Sequence, residues 1–313
     1  MDLGASKVAF ALADRAGGIR ARHRRPTEAS GDPQRDVARL VTDLRTFVAE
    51  SGLAAGSLEG VGVAAPGPLD RARGAVVGPP NLPGWDDVPL RDALAEGLGL
   101  PVQLENDASA AALAEWRFGA GQGYQDLVYL SLSTGIGGGL VLGGRLFTGV
   151  SGNAGELGHV CVEWGGEPCA CGRRGCFEAY AGGAAWTRRI RAEVPAASRV
   201  LLLAGGRDAA GPEHVIEAAR AGDSFALAEL DRFNEYVARG VAVAVQALAP
   251  QVVVLGTIAT AAGQACLGPV RERVAQRVLP ALARDLEIVT AGLGEDLPYH
   301  TGICLALQAF ASP

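Results

Sequence analysis

Val8 to Leu12 is an unbroken apolar run that follows a small polar turn and stops at Asp14-Arg15-Ala16-Gly17-Gly18. This predicts strand, turn and strand across Met1–Lys7 and the run after it, with a hairpin turning at the glycines. From residue 33 to 51 the period changes. Val37, Leu40, Val41, Leu44, Phe47 and Val48 recur at helical spacing. Residues 60–65 (Gly-Val-Gly-Val-Ala-Ala) then predict a short buried strand closed by Pro66-Gly67-Pro68, and a Pro/Gly-rich loop runs to Trp85. Residues 89–98 predict a helix, 102–105 a strand, and 108–118 a long helix that Asn106-Asp107 can cap.

A second opening of the same kind follows. Residues 127–132 predict a strand, 133–139 a glycine turn, and 140–142 a second strand ending at Gly143-Gly144. Two half-chains with the same start suggest a duplicated α/β lobe with a cleft between the copies. Beyond them the pattern is mostly helical. Residues 225–248 form a long amphipathic stretch, and 252–255 a buried strand ending at Gly256-Thr257. A last short strand falls at 288–289 and a final helix at 301–310.

Composition narrows the class. The 313 residues can bury a sizeable core, with 49% apolar and 20% charged residues. The net charge of -6 argues against a nucleic-acid surface. The one dense basic run, Arg20 to Arg25, reads as a solvated loop or strand end. No apolar run approaches the roughly 20 residues of a membrane span, and the start shows no secretory pattern, so the cytoplasm is the expected compartment.

Six cysteines divide unevenly. Cys161, Cys266 and Cys304 lie apart in apolar sequence and read as buried thiols. Cys169, Cys171 and Cys176 cluster with His159 in the order H-x9-C-x-C-x4-C. That is the ligand count and the sulfur–imidazole mix of a closed tetrahedral zinc site. Gly172 and Gly175 lie between the thiols, where a tight knuckle must turn. Glu156 precedes the histidine by three residues and Glu178 follows the last cysteine by two. A closed metal knuckle flanked by carboxylates suggests a metal that shapes a binding site rather than one that breaks bonds.

Three further segments carry candidate chemistry. Residues 2–7 place an acid before a small-residue turn with a hydroxyl. Such a turn can offer backbone N–H groups to phosphate while aspartate holds Mg2+ through water; an ordinary hairpin turn explains it equally well. Residues 133–139 hold four glycines and two hydroxyls after a strand, which suits phosphate binding or a plain glycine-rich turn. Neither is a Walker A loop, because no G-K-[ST] follows the glycines. Glu105-Asn106-Asp107 sets a base beside an amide at a strand-to-helix junction, which suits proton abstraction or simple helix capping.

Taken in order, these segments resemble the ROK family of sugar kinases, and within it the bacterial glucokinases. The matching motifs are Asp2–Lys7, residues 60–68, residues 80–85 (Pro-Asn-Leu-Pro-Gly-Trp), Glu105–Ala108, residues 134–139, Glu156–His159, and the knuckle through Tyr180, covering about residues 1–183. The resemblance implies an actin-like, hexokinase-type ATPase fold of two lobes about a cleft. One lobe would be 1–107, joined by a C-terminal helix at 301–313. The other would be 108–300, carrying the knuckle at 156–178. It also implies phosphoryl transfer from MgATP to a sugar hydroxyl, with glucose the leading substrate. Asp107 would be the general base. Asn106, Glu156, His159 and Glu178 would hold the sugar, and backbone at Gly67 would close its site. Asp2, Gly4, Ser6, Lys7, Thr134, Gly135 and Gly256 would serve the nucleotide and Mg2+. His159, Cys169, Cys171 and Cys176 would bind structural zinc.

The chain departs from the family on the nucleotide side. Ala5 and Ser6 replace a Gly-Thr pair, the first strand is very short, Gly256-Thr257 stands for a glycine pair, and Tyr299–Ile303 replaces a small-residue run. The sugar-side residues are intact. N-acetylmannosamine, N-acetylglucosamine and polyphosphate therefore remain open as alternative substrate or donor. A non-catalytic sugar sensor is the rival class, and DNA binding is not expected. Relatives of this kind are mostly dimers or tetramers.

Overall fold

In the computed structural model, which describes residues 1–4, 6–79 and 82–310, the chain divides into two units. The first comprises Met1–Phe118, Thr148–Asn153 and Leu293–Pro313. Its opening pattern becomes β1 (Asp2–Leu3), β2 (Lys7–Ala13) and β3 (Ile19–Pro26). Helix α1 (Pro33–Glu50) starts where Asp32 accepts from the Gln34 and Arg35 amides, with Pro33 at the first helical position. It buries Val37, Leu40, Leu44 and Phe47. Then come β4 (Val61–Ala65), a small hairpin of β5 (Leu69–Asp70) and β6 (Ala75–Val76), α2 (Leu90–Leu98), β7 (Val102–Asn106) and α3 (Asp107–Phe118).

The main sheet runs β3-β2-β1-β4-β7. β1 pairs antiparallel with β2 (Asp2 with Ala9) and parallel with β4 (Asp2 with Ala64), and β4 pairs parallel with β7. The last helix of the chain, α12 (Leu297–Phe310), returns to this unit. It lies directly on β4, because a Cβ at Gly62 would stand 2.0 Å from the Gly302 carbonyl oxygen. The Met1 ammonium is buried and donates to the Gly62 carbonyl at 2.8 Å. Burial lowers its pKa to about 6, against the pull of Asp2. The basic run Arg20–Arg25 forms the exposed edge strand β3, where Arg20, Arg22 and Arg25 pair with Asp14, Asp296 and Asp43. A charged edge discourages pairing with another chain.

The second unit comprises Gly119–Phe147 and Ala154–Gly292. Its strands are β8 (Leu127–Leu132), β9 (Ile136–Leu142), β10 (Arg145–Leu146), β11 (Val252–Thr257) and β12 (Glu287–Thr290), in the order β10-β9-β8-β11-β12. β8 is antiparallel to β9 and parallel to β11, which is parallel to β12. Order and sense repeat those of the first sheet strand for strand. The helices are α4 (Glu178–Ala181), α5 (Gly183–Glu193), α6 (Arg199–Ala204), α7 (Pro212–Arg220), α8 (Ser224–Leu248), α9 (Ile258–Ala262), α10 (Gln264–Ala275) and α11 (Pro280–Ala283). α8 forms the spine of the core with Leu230, Phe233, Val237, Val241 and Val245, and Phe233 stacks on Trp186 with ring centroids 4.3 Å apart. Among the described residues no helix is long and apolar enough to cross a membrane.

Three local expectations need correction. The glycine turn is shorter than residues 133–139, because Ile136–Gly139 already belong to β9, with Gly137, Gly138 and Gly139 opposite Ser131, Leu130 and Tyr129. Glycine is needed in that strand because a Cβ at Gly138 would stand 2.3 Å from the Gly155 carbonyl oxygen. The final helix begins at Leu297 rather than 301, since Pro298 is tolerated in a first turn. Cys266 and Cys304 are buried thiols, but Cys161 is exposed. The Cys161 backbone pairs with that of Cys176 in an isolated β-bridge at the knuckle, and both thiols are free.

Candidate functional site

The first unit contributes a strand-to-helix junction. β7 ends at Asn106 and α3 begins at Asp107. Asn106 Oδ1 accepts from the amides of Ala108 (3.0 Å) and Ser109 (3.3 Å), so the capping reading holds. Asp107 Oδ1 accepts from the Ala108 amide at 2.7 Å, and its carboxylate is exposed at the helix start. The positive end of the helix dipole favours an anion there. Gly67 keeps its backbone against this junction: a Cβ there would stand 3.0 Å from Asn106 Nδ2.

Asp2 belongs to the same unit. Its Oδ2 accepts from Thr301 Oγ1 at 2.9 Å. Burial raises the Asp2 carboxyl to about 7; the Thr301 hydrogen bond opposes this and the negative charge of Asp107 adds to it. The following turn is held by the Gly4 amide on the Lys7 carbonyl (3.0 Å) and by Thr27, whose hydroxyl and amide reach the carbonyls of Gly4 (2.7 Å) and Ser6 (2.9 Å). Ser6 and Lys7 are exposed. Ala5, Pro80 and Asn81 lie outside the described residues.

The second unit gathers the knuckle. The ligand atoms of His159, Cys169, Cys171 and Cys176 all lie within 4.8 Å of one another. Cys169 Sγ is 3.7 Å from His159 Nδ1, and Cys171 Sγ is 3.7 Å from Cys176 Sγ. Tetrahedral zinc with Zn–S bonds of about 2.3 Å sets sulfurs about 3.8 Å apart. The donor set and its spacing therefore fit zinc. The Arg173 amide lowers the Cys171 thiol to about 7, whereas burial raises the Cys169 and Cys176 thiols. With Nδ1 on the sulfur side, His159 turns Nε2 toward Glu156, 4.0 Å from its Oε2.

Glu178 opens α4 and reaches back to β9, where its Oε2 accepts from the Ile136 amide at 2.8 Å. Gly135 makes room for this, since a Cβ there would stand 2.5 Å from the same oxygen. The Ser133 and Thr134 carbonyls accept from the Gly183 and Ala184 amides, tying the turn to the start of α5. Thr134 itself is exposed. Gly256 is buried beside Tyr129, whose hydroxyl a Cβ would meet at 2.7 Å. Within this unit the structure thus brings together Gly135, Glu156, His159, Glu178 and the three thiols.

One feature bears out a departure already visible in the sequence, where threonine replaces a glycine, and a second escapes sequence reasoning. Thr257, at the end of β11, has φ +56°, which a β-branched residue rarely adopts. Arg71, in the turn after β5, forms an ion pair with Glu105. Thirty-four positions separate that pair along the chain, and no periodicity links them.

Comparison with known proteins fits this arrangement. The family model described as ROK family matches residues 1–308. A glucokinase of Thermotoga maritima is 40% identical over 298 residues, covering 95% of this chain and 92% of the relative. The solved ROK hexokinase of Thermus thermophilus superposes with a TM-score of 0.81 at 35% identity, covering 98% of this chain and 97% of the other. A ROK glucokinase of Streptomyces griseus, solved with glucose and AMPPNP, gives 0.78 at 31% identity, covering 99% and 97%. A family match across almost the whole length, with every knuckle ligand in place, leads to one conclusion: the chain belongs to the ROK family.

Proposed function

We propose that this protein transfers the γ-phosphoryl group of ATP to a hexose hydroxyl, with glucose as the substrate and glucose 6-phosphate as the product. Support comes from the 40% identity to a glucokinase and from the likeness to a glucokinase solved with glucose and an ATP analogue. The carrying observation is the exposed Asp107 carboxylate at the start of α3, oriented by the Ala108 amide. A carboxylate at that position can act as general base to a hydroxyl brought within hydrogen-bond reach.

In this reading Asp107 takes the proton from the attacking hydroxyl. The sugar oxygen bonds to the γ-phosphorus as the bond to the β–γ bridging oxygen breaks, and ADP leaves with that electron pair. Asn106 holds sugar hydroxyls, and Gly67 brings backbone close to them. Glu156, His159 and Glu178 supply the remaining sugar contacts. Asp2, Gly4, Ser6, Lys7, Thr134, Gly135 and Gly256 serve the nucleotide, and Asp2 would hold magnesium through water. Magnesium, when bound, neutralises charge on the transferring phosphates. Zinc on His159, Cys169, Cys171 and Cys176 would be structural. It would fix the ring of His159 so that Nε2, beside Glu156, faces outward for a hydroxyl.

A coupled ADP-release assay with MgATP, run across hexoses and N-acetylhexosamines, tests the proposal. Turnover should be greatest with glucose, and Asp107→Asn should lower kcat by at least a thousandfold while glucose still raises the melting temperature. Wild-type turnover in Asp107→Asn would remove the assigned base. Thermal stabilisation by glucose without any turnover would make the protein a sensor. Greatest turnover with an N-acetylhexosamine, or with polyphosphate in place of ATP, would reassign the substrate or the donor.

A further inference from the structure

β7 and α3 meet with almost no slack at Glu105, Asn106 and Asp107. The Glu105 side chain is 5% exposed, and its Oε1 accepts from the Asn106 amide at 2.6 Å. The β4–β7 ladder ends there, at Ala65 opposite Asn106. At this strand end the side chain of the preceding residue, Glu105, holds the Asn106 amide. The same oxygen receives the guanidinium of Arg71, which is 19% exposed. Arg71 follows β5 in a tight turn closed by the Gly74 amide on the Arg71 carbonyl, with Gly74 at φ +64°. Its methylene stem fills the space that a side chain at Gly152 would need: a Cβ there would stand 2.6 Å from Arg71 Cδ.

A buried ion pair of this kind is costly to assemble, because both charges leave water. Arg71 Nε even stays buried without a hydrogen-bond partner in the structure. Nothing about stability alone calls for it, since a well-packed apolar pair of similar volume is often as stable. Its consequence at the strand end is local. It keeps Glu105 ionised as a strong acceptor for the Asn106 amide, immediately before the cap and the carboxylate of Asp107. Burial raises the Glu105 carboxyl, and it stands at about 6 even with the Arg71 cation and the Asn106 amide holding it down.

We infer that Arg71 is a positioning residue for the reaction, acting through Glu105 to fix the strand end from which Asn106 and Asp107 project. This rests on the proposed role of Asp107 as base. Without Arg71, Glu105 either protonates or remains an unpaired buried anion. In the first case it becomes a poorer acceptor and the junction loosens. In the second it adds negative charge two residues from Asp107.

The test compares wild type, Arg71→Met, Arg71→Lys and Asp107→Asn in the full chain. Arg71→Met should lower kcat at least tenfold, leave KM for glucose and ATP within threefold, and move the acid limb of the kcat–pH profile to higher pH. Arg71→Lys should recover part of kcat. Amide hydrogen exchange gives a readout that needs no activity: Asn106 and Ala108 should exchange at least tenfold faster in Arg71→Met, while β2 amides keep the wild-type rate. Wild-type exchange at Asn106 and Ala108 would overturn the inference, as would faster exchange throughout the first unit. If Arg71→Met does not fold, exchange and pH profile are read on Arg71→Lys, where wild-type values for both would overturn it. Wild-type turnover in Asp107→Asn would sink the base assignment alone, and the exchange result would still judge the coupling of Arg71 to the junction.

Discussion

The folded environment of Asp2 changes its chemistry strongly. Burial holds its carboxyl near 7, so the folded protein keeps a proton that the unfolded chain releases near 4. The sign follows: the stabilisation is complete below about pH 4 and is lost as pH rises to about 7. Asp2→Asn removes the titration. The melting temperature of Asp2→Asn minus that of wild type, measured without divalent metal, should therefore increase between pH 4 and 7, by an amount equivalent to about 1–3 kcal/mol. A difference that stays flat would place Asp2 in a wetter setting. At this scale the sequence is informative where a residue type has few uses. His159 and three thiols at knuckle spacing are legible because few other roles call for that set. The neutral-range acidity of Asp2 is not, because it comes from burial in the folded chain, with Asp107 adding to it and Thr301, from the last helix, opposing it. The exposure of Cys161 is equally hidden, since its apolar neighbours in sequence do not cover it in space.

At the scale of elements, strands and helices with a strong period are legible almost to the residue, as β8 and α1 are, because burial on one face dictates the pattern. Ends are less so where glycine has two uses. Gly137–Gly139 read as a turn but lie in β9, one of them because the Gly155 backbone passes close by. The end of β11 shows the converse. Thr257 occupies φ +56°, ψ -103°, a conformation suited to glycine, at the start of α9. Such strain costs about 1–3 kcal/mol. Glycine there would relieve it while adding about 0.5–1 kcal/mol of unfolded-chain entropy. Thr257 Oγ1 sits 3.4 Å from Ser131 Oγ, a weak contact to lose. Thr257→Gly should therefore stabilise the protein by about 1 kcal/mol, seen as a melting temperature about 2–4 °C higher. A lower melting temperature would mean that the Ser131 contact outweighs the strain.

At the scale of the molecule, the repeated opening in the sequence corresponds to two sheets with one strand order, each unit with its own apolar core. Periodicity reveals the repeat because each copy must bury the same faces. It cannot reveal side-chain partnerships such as Arg71 with Glu105, which need the folded chain. The knuckle belongs wholly to the second unit, and this makes a whole-molecule prediction. A structural metal's binding energy is folding energy, because the unfolded chain holds no preformed site. Cys171→Ser should therefore lose zinc, and its lost stability should stay in the unit that held it. Amides of residues 156–178 and of β9, which Glu178 grips through Ile136, should exchange faster, while those of β1, β2 and β4 keep their wild-type rates. Glucose turnover should fall at least tenfold, because the His159 ring loses the bond that orients it. Unchanged zinc content in the variant would refute the ligand assignment. Zinc loss with equally faster exchange in both units would instead show that the metal's energy is shared across the whole chain.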